Sequence, residues 1–219
     1  MKLIENSNLI VLGAGHFGQN ALIKCSQSYP NCRMTIVDQD ESKLKNCTQS
    51  ILCETICDDG ISYLNSLPKD ILGQQSFWII PSIPIHVAFE WVKSNLSRHV
   101  QSIEIPKMLF QNLPNAIPGN IGTVYLSYAT FRCPDNCPEP VDHCYFTNQS
   151  RPISLFEKLQ GLKFRNFTSI VLISRQLLPG IGGFQFQDLM DTLIRVESSD
   201  MPVMLSTACR CHGVMDVFE

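Results

Sequence analysis

The stretch that decides the fold is Asn8–Leu22, NLIVLGAGHFGQNAL. Leu9–Leu12 is a short unbroken apolar run, the pattern of a strand buried on both faces. Gly13, Gly15 and Gly18 follow it as G-x-G-x-x-G, and FGQNALIKCSQSY continues with helical spacing. Gly13 permits a tight turn, Gly15 lets a pyrophosphate approach the backbone, and Gly18 allows the helix to pack close to the strand. The free N–H groups of the helix N-terminus add positive potential for phosphates. RMTIVD then ends in Asp38, placed to accept hydrogen bonds from adenosine ribose hydroxyls. The next residues, Gln39, Asp40 and Glu41, offer no cation for a 2′-phosphate, so NAD(H) is expected rather than NADP(H).

Working outward, strand and helix alternate. DESKLKNCTQ gives a short helix, ILCETICDD a strand and GISYLNSL a helix. SFWIIPS gives a strand, PIHVAFEWVKSNLS a helix opening near Pro84, and QSIEIP a fifth strand. Such alternation implies an α/β fold, a Rossmann-like, doubly wound and mostly parallel sheet. Ser82, after the fourth strand, falls where such folds approach the nicotinamide.

From Pro106 the rhythm changes. PKMLFQNLPNAIPGNIG reads as a loop, TVYLSYATF as a strand, and FRCPDNCPEPVDHC as a cysteine knuckle. Helix SLFEKLQGL, strand TSIVLIS, a glycine-rich turn at Gly180–Gly183, helix FQDLMDTLIRVE and strand PVMLST follow, the last running into ACRCHG. The expected division is residues 1–115, an NAD-binding Rossmann-like domain, and 116–219, a Cys-rich α/β region that could continue the same sheet.

Ten cysteines stand in 219 residues. Cys25, Cys32, Cys47, Cys53 and Cys57 are scattered and read as small buried apolar residues. Cys133, Cys137, Cys144, Cys209 and Cys211 are grouped and read as metal ligands. Cys133 and Cys137 are spaced to grip one ion, Cys144 returns to it, and Cys209, Cys211 or His212 would supply the fourth ligand. If the last strand runs on through the tail, Cys209 and Cys211 face the same way and His212 turns aside. Zinc and a [4Fe–4S] cluster both suit this set, although the spacing is not that of a ferredoxin.

The glycine turn, TIVDQD and CDDG resemble the NAD-binding N-terminal domain of Trk-type potassium-uptake regulators (TrkA-N, the regulator-of-potassium-conductance fold), over the first 80 to 100 residues. The resemblance implies that Gly13, Gly15, Gly18 and Asp38 contact the nucleotide, with Asp58 beside the adenine and His16 and Phe17 beside the phosphates. It also implies a homodimer and a membrane-transporter partner in potassium transport. The C-terminal ligand-binding domain of that family has no counterpart here.

The net charge of −3 gives no basic face for nucleic acid, and no segment reads as a signal peptide or membrane span, so a cytoplasmic protein is expected. No nucleophile elbow, HExxH, kinase set or Walker lysine is present, so no catalytic residue is assigned. His86 and His99 read as ordinary helical histidines. The expectation is an NAD(H)-binding regulatory protein with a Cys-ligated centre. The alternatives are an NAD-dependent oxidoreductase, or an electron-transfer protein if the centre is iron–sulfur.

Overall fold

Unbroken apolar runs bury the inner strands on both faces, and the computed structural model stacks its layers accordingly. It describes residues 7–47, 53–68 and 76–219. Strands β1 (Asn8–Leu12), β2 (Arg33–Asp38), β3 (Glu54–Cys57) and β4 (Phe77–Pro81) pair in parallel in the order β3-β2-β1-β4. The first residues of the expected third strand, 51–52, lie outside the described residues. Helices α1 (His16–Ser28) and α2 (Glu41–Cys47) cover one face; α3 (Gly60–Ser66) and α4 (Val87–Asn95) cover the other.

The C-terminal half enters this sheet. β8 (Arg175–Leu178) and β9 (Ile181–Gln185) form a hairpin, and β9 pairs antiparallel with β4. The glycine-rich segment expected as a loop is thus largely strand. Its turn is Pro179–Gly180, and Gly180 takes a φ of +78° that other residues rarely adopt.

A second sheet has the order β5-β6-β11-β10-β7, built from β5 (Ile117–Pro118), β6 (Thr123–Ser127), β7 (Thr168–Ile173), β10 (Val203–Ala208) and β11 (His212–Phe218). Only β10 and β7 pair in parallel. The expected mostly parallel arrangement therefore describes the first four strands alone. The three residues between β10 and β11 are too few for a crossover and force an antiparallel hairpin. QSIEIP forms no strand; it runs along the tail, with one bridge between Ser102 and Phe218. The expected loop after it holds a one-turn helix, α5 (Lys107–Gln111).

Three cores result. Leu9, Val11, Ile36 and Trp78 pack against Ala21, Leu22 and Cys25 of α1. Ile10, Leu12 and Ile79 face the other way, onto α3, α4 and α7 (Phe186–Glu197), whose far sides meet Ile170, Val203 and Leu205 of the second sheet. Val171, Met204 and Met215 pack beneath α6 (Leu155–Gln160) and α5. One helical layer thus lies between two mixed sheets, and among the described residues no helix is long and apolar enough to cross a membrane.

Candidate site: a cysteine-lined cavity above the glycine turn

The turn from β1 to α1 has the conformation its glycines require. Gly13 has a φ of +100°, and a Cβ there would meet Ser82 O at 2.7 Å. A Cβ on Gly18 would lie 1.8 Å from Gly13 O, so only glycine lets the helix come this close to the turn. A Cβ on Gly15 would meet nothing within 4 Å. At that position the fold itself does not demand glycine, and open space faces the backbone.

Asp38 ends β2 beside the turn. Its Oδ2 accepts the Ala14 N–H at 2.7 Å and its Oδ1 the Asp40 N–H at 2.8 Å. Asp58 follows β3 at the same sheet edge, its carboxylate accepting the Asp59 N–H at 2.7 Å. Ser82 leaves β4 with its N–H bonded to Leu12 O at 2.8 Å. The expected nucleotide residues are thus gathered along the carboxyl ends of the parallel strands.

The cysteines lie above the same edge. Between β6 and α6 the chain makes a long loop. Cys133 and Cys137 belong to a turn closed by Cys137 N–H to Pro134 O, and Cys144 to a small hairpin closed on Gln149. Glu139, between two prolines, is held at a φ of +47°, with its Oε1 accepting the Arg210 N–H at 2.7 Å. Cys209 and Cys211 sit in the turn between β10 and β11, not on a strand, so the alternation expected for them does not apply. That turn is anchored on α6, whose free Leu155 and Phe156 N–H groups donate to Arg210 O and Cys209 O. His212 is not turned aside: its Nε2 lies 3.4 Å from Cys133 Sγ.

All five cysteines line one cavity of about 780 Å³, together with His212, Arg151, Glu139 and Tyr128. Phe17 of α1 and Gly180 of the β8–β9 turn line it too. His16 Nε2 reaches Asp135 Oδ2 at 3.0 Å, tying the glycine turn to the residue midway between Cys133 and Cys137. That contact holds the Asp135 carboxyl below its usual range. Beneath the knuckle, Cys137 O accepts the Gly180 N–H and the Gln176 side chain, and a Cβ on Gly180 would lie 1.7 Å from Asp135 O.

The thiols differ in charge preference. Burial pushes Cys133 up, Cys211 to about 11, and Cys209 further still, where Glu139 adds to the effect. Cys144 is lowered by hydrogen bonds from Thr147. Desolvation on its cavity side lowers His212, although the residue as a whole is exposed. Among the described residues no group of three His, Cys, Asp or Glu side chains is already drawn together tightly enough to hold a metal ion. The fold collects the expected ligands around one cavity without closing them into a shell.

Sequence reasoning missed two features. Arg151 is buried against Cys211, and nothing in SRP signals that. His86 is not an ordinary helical histidine: buried, it caps α4 with Nδ1 2.6 Å from Asp216 Oδ2 and Nε2 2.8 Å from Thr207 Oγ1. Among the front cysteines, Cys25, Cys32 and Cys47 are buried as expected, whereas Cys57 is exposed.

Fold and site together define an α/β protein of two mixed sheets with a cysteine-lined cavity at the carboxyl edge of the first. Residues 88–219 match the family model described as AF_1314_C, uncharacterized protein, C-terminal domain. The span exceeds half of the chain, and the protein belongs to that family. It takes in all five cavity cysteines and leaves out the glycine turn. The chain is also similar to an "Uncharacterized protein" of Archaeoglobus fulgidus, 28% identical over 222 residues, covering 96% of this chain and 98% of the relative.

Proposed function

We propose that the protein is a cytoplasmic, Rossmann-like NAD(H)-binding regulator whose nucleotide site adjoins a thiolate-held metal centre. The observation that carries this reading is the shared cavity: Phe17 of the glycine turn and all five grouped cysteines line it, and His16 touches the knuckle through Asp135. The nucleotide suits the residues present. Gly15 is open to a pyrophosphate, the N-terminus of α1 offers N–H groups, and each Asp38 oxygen keeps a lone pair for a ribose hydroxyl. NAD(H), when bound, supplies hydride chemistry; the chain's own part is to bind and orient it. Cys133, Cys137 and Cys144 with one tail residue suit zinc or [4Fe–4S].

As a regulator, the protein must bind NAD+ and NADH unequally, because a ligand shifts a conformational equilibrium only by its difference in affinity for the two states. Contacts such as His16–Asp135 would pass that difference to the knuckle. The second reading is an oxidoreductase or electron-transfer protein. It is favoured by a cavity of about 780 Å³, the size of a small-molecule site and larger than a structural metal needs. The link to potassium transport, the dimer and a transporter partner rest on the resemblance of the first 100 residues alone.

Calorimetric titration tests the nucleotide. Gly15→Ala should cost no more than about 1 kcal/mol of stability, through the poorer N-cap of α1, and weaken NADH binding by at least about tenfold, because the new methyl meets no protein atom and would meet the ligand. Equal affinity in wild type and variant, or none in wild type, sinks the assignment.

A further inference from the structure

A buried cation lies against one of the tail cysteines. Arg151 is 8% exposed, a planar guanidinium with five N–H donors and no acceptor. Among the described residues no carboxylate lies within ion-pair distance of it. Its Nη2 donates to the carbonyl oxygens of Pro140 and His143, and its Nη1 to Cys211 Sγ at 2.6 Å. Nε has no partner. A guanidinium fork fixed on two backbone carbonyls, with its remaining arm on the Cys211 sulfur, holds that side chain in place from outside a metal's own ligand shell.

Resting on the metal reading above, we infer that Cys211 is the tail ligand of a four-thiolate centre completed by Cys133, Cys137 and Cys144, with Arg151 as the positioning residue that holds its sulfur. The other two candidates are otherwise engaged. Cys209 Sγ is folded back into its own turn, accepting the N–H groups of Cys211 at 3.4 Å and His212 at 3.3 Å. His212 Nε2, 3.4 Å from Cys133 Sγ, is placed to donate an N–H to a ligand sulfur. Zinc with four thiolates and a [4Fe–4S] cluster on four cysteines are both net anionic, and Arg151 suits either.

The test uses the full chain without an affinity tag, loaded in separate arms with cobalt(II) as a spectroscopic stand-in for zinc and with iron plus sulfide. Visible absorption of the iron arm that bleaches on reduction identifies the cluster, and stoichiometric metal in the cobalt arm alone identifies the zinc-type site; either supports the assignment. Cys211→Ser should lose the metal or one thiolate's share of the sulfur-to-metal charge-transfer intensity. Cys209→Ser and His212→Gln should keep the stoichiometry and the full sulfur-to-metal intensity of the wild type. Arg151→Met should weaken metal retention by about 10- to 100-fold and shift the band, with partial rescue by Arg151→Lys. Melting curves of the metal-free variants separate loss of a ligand from loss of the fold. If Cys211→Ser keeps the centre while Cys209→Ser or His212→Gln loses it, or if Arg151→Met matches wild type, the assignment is wrong. A wild-type chain that takes up neither metal sinks the parent reading as well.

Discussion

Cys25 and Cys211 are the same residue type under different pressures. Cys25 faces the first core, and desolvation pushes its thiol from 9.0 up to about 12, with Cys32 adding to the rise and Lys24 opposing it. Its folded pKa is the higher one, so its contribution is complete below about pH 9 and is lost as pH rises towards 12. Stability should fall by up to about 1.4 kcal/mol per pH unit across that window. Urea unfolding at about pH 7 and about pH 10 measures it: Cys25→Ala should lose less stability between the two than wild type does, and an identical loss contradicts the assignment. By spacing in the sequence, isolated thiols read as packing and clustered ones as ligands; Cys25, Cys32 and Cys47 are buried as the first reading has it, whereas Cys57 is exposed. Spacing did not tell Cys209 from Cys211, because Arg151 reaches the sulfur of Cys211 from a distant loop that no local pattern encodes.

At the scale of elements, β1, α1, β2 and α7 were legible because apolar period and length agree in each. The β8–β9 hairpin was not, because Pro-Gly-Ile-Gly-Gly carries few side chains and its strand character comes from pairing with β4. QSIEIP has strand composition but finds no full partner. His86 shows how long-range contacts overrule local reading: its partners lie 121 and 130 residues away. It ties the N-terminus of α4 to β10 and β11, the two strands that hold the tail cysteines between them. Asp216 also accepts from Thr123 Oγ1 at 2.5 Å, so His86→Ala leaves a buried carboxylate with that hydroxyl and no imidazole. The expected cost is about 3 kcal/mol of unfolding free energy by denaturant titration. A loss below about 1 kcal/mol would mean that the network does not brace α4 against the second sheet.

At the scale of the molecule, the alternation of elements announced an α/β protein, and the grouping of cysteines announced a site. That the two would share one cavity was not readable. It depends on the β8–β9 hairpin crossing to the first sheet and on the 128–154 loop folding back over α1, pinned by His16–Asp135 and by Gly180 under the knuckle. The central claim is that nucleotide and metal centre are neighbours that sense each other. The most direct measurement titrates NADH into the metal-loaded wild-type chain and follows nucleotide fluorescence and the absorption of the centre together. The account predicts saturable binding, with both signals changing along one curve and giving one Kd. NADH that binds without perturbing the centre, or a centre that forms in a chain unable to bind NADH, would contradict it.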